Sequence, residues 1–277
     1  MDGRTWLQYS ISVWNDIRKG PEEAALGHPA MFPAELAARL IEIFTTPGDL
    51  VIDPFAGVGS TLLAGMRLGR RVLGMELSPL YTSIARERVR RAFQDEAPGT
   101  PARMAVPITT PIADPDSFII KGDALDLGLH LAPGTAALCV TSPPYWNILK
   151  QKRTADRKPT RDYGEHPGDL GGIDSYSGYL DSLGLVLEQV GLALRKGGYL
   201  ALVVMDLRKK DRFYPLHLDI CRLVAGQGQG LELDDLIVWD RRQEYNNLRP
   251  LGYPWVFRVN RIHEFILLFR KTGTPSG

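Results

Sequence analysis

Residues 50–61 read Leu50-Val51-Ile52-Asp53-Pro54-Phe55-Ala56-Gly57-Val58-Gly59-Ser60-Thr61. An apolar run ends in an acidic residue, a proline and a turn with two glycines. A helical pattern follows from Gly59 to Leu68, closed by Gly69. The apolar run is the composition of a sheet strand buried on both faces. A glycine-bearing turn between strand and helix lets a ligand approach the backbone, which suits a nucleotide-like cofactor.

The pattern repeats on both sides of this stretch. Pro33 to Phe44 places Leu36, Leu40, Ile41 and Phe44 on one helical face, and Pro47-Gly48-Asp49 breaks it. Val72 to Leu77 is a strand that reaches Glu76, and Pro79 opens a helix to about Phe93. After an irregular stretch, 94–116, the strand Phe118-Ile119-Ile120 leads into Gly122-Asp123-Ala124. Ala136 to Val140 leads into Thr141-Ser142-Pro143-Pro144-Tyr145-Trp146. Tyr179 to Leu194 is a helix ended by Lys196-Gly197-Gly198, and Tyr199 to Met205 is an apolar strand. Leu216 to Val224 is a helix stopped by Gly226, Gly228 and Gly230. Leu236 to Trp239 and Phe265 to Phe269 are the last strands. This alternation predicts an α/β, doubly wound, mostly parallel sheet with helices on both faces. A single domain over 1–277 is expected. Its cofactor half is about 28–130 and its catalytic half about 131–277, with no large separate recognition domain.

Composition excludes several classes. No apolar run approaches the roughly 18 residues of a membrane span, and Met1 to Trp6 lack the apolar core of a signal peptide. Two cysteines, Cys139 and Cys221, cannot build a disulfide framework, so a reducing, cytoplasmic setting is expected. The Cys and His spacing offers no metal site. Net charge is only +1, but it is unevenly spread. Residues 147–163 carry Lys150, Lys152, Arg153, Arg157, Lys158 and Arg161 for a net +4; residues 241–261 also carry +4; the remainder is −7. Two basic segments on an acidic body suit a partner with a phosphate backbone.

Four chemistry-bearing residues stand at successive strand ends: Asp53, Glu76, Asp123 and Ser142. Open α/β sheets bind ligands outside the carboxyl ends of their strands. Leu62 stands where a dinucleotide fingerprint would have its third glycine, which counts against NAD. Glu76 follows the turn at about 20 residues, the interval for a carboxylate that accepts from ribose hydroxyls.

The turn Asp53 to Thr61 and the corner Ser142-Pro143-Pro144-Tyr145, in this order, resemble the DNA amino-methyltransferases. These move a methyl from S-adenosylmethionine to cytosine N4 or adenine N6. The segments Pro47 to Tyr81 and His28 to Pro33 resemble the same family. The resemblance implies a Rossmann-like sheet of seven strands with an antiparallel last strand. It implies cofactor contacts from Asp53, Phe55, Ala56, Gly57, Gly59, Ser60, Thr61, Glu76, Leu77, Ser78, Asp123 and Ala124.

The amino group of a base is a poor nucleophile, because its lone pair is delocalised into the ring. Ser142 Oγ and the Pro143 carbonyl are acceptors suited to hold its hydrogens. Pro143 and Pro144 restrict the backbone and remove donors, and Tyr145 offers a ring to stack on the base. A duplex hides these atoms, so the base must be flipped out. Cytosine C5 chemistry needs a cysteine nucleophile, usually after proline in this corner, and neither cysteine follows proline. Ser142 resembles the cytosine-N4 members; adenine N6 is the alternative, with RNA methylation or a non-catalytic DNA-binding regulator behind it. Lys150, Lys152, Arg153, Arg157, Lys158, Asn246, Asn247, Arg249, Trp255 and Arg258 are the expected contacts to double-stranded DNA. A restriction-modification setting, a homodimer and a cognate restriction endonuclease fit this reading.

Overall fold

The computed structural model describes residues 1–28, 31–94, 118–147, 168–244, 248 and 250–273. Among these residues, ten strands lie in two sheets. In chain order they are β1 (Val13–Trp14), β2 (Leu50–Asp53), β3 (Arg71–Glu76), β4 (Ile119–Lys121), β5 (Ala136–Thr141), β6 (Leu194–Val204), β7 (Leu207–Lys209), β8 (Arg212–Tyr214), β9 (Leu231–Asp240) and β10 (His263–Lys271). The main sheet has the order β1-β9-β10-β6-β5-β2-β3-β4. From β4 through β3, β2 and β5 to β6, every neighbouring pair is parallel. Strand β10 is antiparallel to both β6 and β9. The doubly wound, mostly parallel sheet with an antiparallel last strand is therefore as expected. Among the described residues the main sheet has eight strands rather than seven, because β1 adds a two-residue edge beside β9.

The α-helices of the described residues are α1 (Gly3–Tyr9), α2 (Pro21–Ala25), α3 (Ala34–Phe44), α4 (Ser60–Arg67), α5 (Pro79–Gln94), α6 (Leu127–His130), α7 (Tyr176–Ala193) and α8 (Leu216–Gly226). Helix α3 buries Leu36, Leu40 and Ile41 completely against one face of the sheet. Burial of each such side chain stabilises by about 1.5–3 kcal/mol relative to exposure. The core on that face also holds Trp14, Val51, Leu62, Val140 and Trp239. The opposite face packs Ile52, Cys139, Leu200 and Leu202 against Tyr179, Leu183 and Leu187 of α7. None of the described helices is long and apolar enough to cross a membrane.

Helix α7 begins at Tyr176, because the Ser175 hydroxyl accepts from the Gly178 N–H at 3.0 Å and caps it. It ends at Ala193, so Lys196-Gly197-Gly198 is not its cap. These residues lie within β6, where the pairing with β5 shifts register between Ala136 and Leu138. A side chain on Gly198 would sit 2.9 Å from the Ala137 carbonyl, so this bulge requires glycine. The hairpin β7–β8 has no counterpart among the elements predicted from sequence and forms the small second sheet.

Candidate active site

The loops after β2, β3, β4 and β5 enclose one cavity of about 240 Å³. Phe55, Ala56, Gly57 and Ser60 line it from the glycine turn; Glu76, Leu77 and Ser78 from the end of β3; Asp123 and Ala124 from the end of β4. Ser142 and Pro144 line it from the end of β5. These members of the expected cofactor and acceptor sets thus face one space. His28 and Phe32 cover one side, and Gly168, Asp169 and Leu170 another.

Asp53, Gly59, Thr61, Pro143 and Tyr145 are absent from the lining. For Asp53, Gly59 and Tyr145 the neighbouring protein atoms supply the reason. Asp53 is buried, and its carboxylate is filled by protein donors. It accepts from Thr61 Oγ1 at 2.7 Å, Thr141 Oγ1 at 2.6 Å and Phe55 N at 3.1 Å. The first of these also accounts for Thr61, whose hydroxyl is spent on Asp53. Burial pushes the Asp53 pKa up to about 6, against the pull of those three hydrogen bonds. The Thr141 bond ties the strand that ends in the Pro-Pro corner to the glycine turn. Asp53 is therefore a joint between the two halves of the site.

At both glycines of the turn a side chain would meet protein atoms. Gly57 has φ +52°, and a Cβ there would meet the His28 ring at 3.2 Å. Gly59 has φ +80°, and a Cβ would meet Ala85 Cβ at 3.0 Å. His28 is neutral, since burial and then the charge of Lys19 hold its pKa down to about 3.

Glu76 receives two backbone donors. Oε2 accepts from Gly57 N at 2.9 Å and Oε1 from Ser78 N at 2.8 Å. Burial raises its pKa, with the two N–H groups opposing. Each carboxylate oxygen keeps a further acceptor site, which suits hydroxyls in the cavity. Asp123 does double service. Oδ1 caps the turn Ala124–Asp126 through Leu125 N at 3.0 Å, while the residue lines the cavity. Gly168 passes so close that a Cβ would sit 2.4 Å from Asp123 Oδ2.

The acceptor corner differs from expectation in its tyrosine. Tyr145 is buried, and its hydroxyl rather than its ring face is engaged. Ser142 Oγ and Tyr145 Oη are 3.0 Å apart, and Tyr145 Oη donates to Glu264 Oε2 at 2.9 Å. Arg241 Nη1 donates to the other oxygen of Glu264. Burial, with Glu264 beside it, pushes the Tyr145 pKa well up, so the phenol keeps its proton. In the sequence Glu264 reads only as a structural residue at the head of β10. Its contact with Tyr145 spans 119 positions and leaves no local signal.

Of the expected DNA contacts, Lys150, Lys152, Arg153, Arg157, Lys158, Asn246, Asn247 and Arg249 lie outside the described residues. Trp255 is 88% exposed and Phe257 91%, on the same loop. Arg258 is committed elsewhere: Nη2 donates to Asp211 Oδ1 at 2.7 Å, at the tip of the β7–β8 hairpin. That hairpin carries Arg208, Lys209, Lys210 and Arg212. Lys209 Nζ donates to Asn147 Oδ1 at 2.8 Å and lies 4.0 Å from the centre of the Trp146 ring. Arg261 lies over Phe213 at 4.7 Å. The hairpin thus bridges the acceptor corner and the exposed aromatic loop. Only its density of basic residues could have drawn attention to it.

The DNA methylase family model of the N6/N4 type matches residues 4–87 and 136–276. The chain belongs to this family. A type II methyltransferase of Streptococcus pneumoniae, M2.DpnII, is 40% identical over 78 residues, which cover 28% of this chain and 29% of that protein. The orphan methyltransferase M.BamHII of Bacillus amyloliquefaciens is 39% identical over 69 residues, covering 25% and 26%. The matches span less than a third of these curated relatives. A DNA modification methylase of Thermus thermophilus, solved with S-adenosylmethionine, is 28% identical over 55% of this chain and 54% of its own, with a TM-score of 0.38. Family membership supports S-adenosylmethionine as the cofactor, as the resemblance implied.

Proposed function

We propose that this DNA methylase transfers a methyl group from S-adenosylmethionine to the exocyclic N4 of cytosine in double-stranded DNA. The observation that carries this reading is the single cavity shared by Glu76, Asp123 and Ser142. Cofactor acceptors and the amino-group acceptor open on one space. Its lining fits the cofactor: carboxylates for hydroxyl and amino groups, and apolar Phe55, Leu77 and Leu125 for a flat ring. Bound there, S-adenosylmethionine supplies an electrophilic methyl on a sulfonium. Glu76 would hold the ribose and Asp123, with the Ala124 N–H, the adenine.

The protein's contribution is then orientation. Ser142 holds the amino hydrogens, so the nitrogen lone pair turns out of the ring plane and toward the methyl. The base reaches this corner only when flipped from the helix. The basic hairpin and the exposed Trp255 loop support DNA as the partner, through phosphate contacts and a wedge beside the flipped base. Serine at position 142 favours cytosine N4, with adenine N6 as the second reading.

Incubation with labelled S-adenosylmethionine and mixed-sequence DNA, followed by nucleoside mass spectrometry, tests this. N4-methylcytosine is expected. N6-methyladenine alone would overturn the base assignment. Label in RNA only, or no transfer despite DNA binding, would overturn the reading itself.

A further inference from the structure

We infer that Glu264 sets the polarity of the Ser142 hydroxyl and takes up the proton that the target amino group releases. This rests on the transfer reading above. The geometry is a buried chain of three polar groups: Ser142 Oγ, Tyr145 Oη and Glu264 Oε2, with successive separations of 3.0 and 2.9 Å. Glu264 is 5% exposed, and Arg241 binds its second oxygen. An ionised carboxylate can only accept. Tyr145 has one hydrogen, and the carboxylate takes it; the Val203 carbonyl, at 3.4 Å, is the weaker competitor. Tyr145 therefore has only lone pairs to offer Ser142. Ser142 must turn its own hydrogen toward Tyr145, which leaves its lone pairs aimed at the cavity.

A serine alone could donate or accept. With Glu264 behind it, Ser142 is an acceptor and selects an amino group over a ring carbonyl. The same chain carries the proton away. A nitrogen that has gained a methyl holds one positive charge. One of its N–H bonds breaks, and the bonding pair stays on nitrogen. The proton passes to Ser142 Oγ, while Ser142 gives its own to Tyr145 and Tyr145 gives its own to Glu264. Both hydroxyls are restored, Glu264 ends neutral and the base ends uncharged.

The test uses the full chain, tritiated S-adenosylmethionine and mixed-sequence duplex DNA. Glu264→Gln should lower the single-turnover rate at least tenfold, with cofactor and DNA dissociation constants within threefold of wild type. Tyr145→Phe should do the same and keeps the Arg241–Glu264 pair, so it carries the test if Glu264→Gln does not fold. Proton NMR of the unliganded protein supplies a readout independent of turnover: a downfield, exchange-protected hydroxyl resonance that Tyr145→Phe removes and Glu264→Gln shifts upfield. Wild-type turnover in folded Tyr145→Phe would overturn the inference and leave the methyltransferase reading standing. A wild-type protein that binds both partners and transfers nothing would overturn both.

Discussion

The Glu76 carboxylate accepts the Gly57 N–H at 2.9 Å, so the end of β3 fastens the glycine turn that follows β2. Glu76 therefore shapes the site as well as offering acceptors to a ligand. Glu76→Ala should weaken S-adenosylmethionine binding by about 1.5–3 kcal/mol, the scale of hydrogen bonds to a charged group. Calorimetry on the folded variant measures this, and unchanged affinity would remove Glu76 from the cofactor site.

Asp53 predicts a specific pH dependence. Its folded pKa, about 6, stands above the unfolded value of 3.8. A raised carboxyl pKa favours the folded state below the unfolded value, and that contribution is lost as pH rises through the folded value. The window is thus about pH 4 to 6. Asp53→Asn can keep Oδ1 as acceptor for Phe55 N and Thr141 and donate to Thr61, whose hydroxyl lies 3.3 Å from the Val140 carbonyl. Urea unfolding across pH 4–8 should show a flatter profile for Asp53→Asn than for wild type. Identical profiles would mean that Asp53 titrates normally.

Gly57→Ala should be costly for two separate reasons. A left-handed backbone at φ +52° penalises a side chain by roughly 1–2 kcal/mol, and the new methyl meets the His28 ring at 3.2 Å. Thermal unfolding should show the loss, and cofactor affinity should fall with it. A variant as stable and as tight as wild type would show that the turn adapts.

The hairpin makes the DNA surface testable. Arg208, Lys210 and Arg212 replaced together by Ala should weaken binding to all duplex sequences about equally. Each phosphate contact contributes about 0.9 to the log–log salt slope, so the slope should fall by about two to three units. Fluorescence anisotropy at several salt concentrations measures both. An unaltered slope would place the DNA elsewhere.

The fold is legible where burial is uniform. The runs in β2, β5 and β6 are apolar because both sheet faces are covered, and no other element type suits such short runs between glycines and prolines. Val13–Trp14 is too short to show a period, and one of its two side chains is exposed. Hairpin β7–β8 has three residues in each strand, pairing Leu207 with Tyr214, Arg208 with Phe213 and Lys209 with Arg212, which is too short to show an apolar alternation. At the site, residue types at strand ends point to the cavity, since loops at one sheet edge converge. The division of labour within it is hidden. Whether Asp53 faces ligand or protein depends on Thr141, which is 88 positions away.

Strand β10 enters the sheet between β6 and β9, and it brings Glu264 to Tyr145. A chain synthesised only as far as residue 262 would own the glycine turn, the Pro-Pro corner and the hairpin, yet no terminal proton acceptor. On that inference, methyl transfer would wait on the insertion of β10 between β6 and β9.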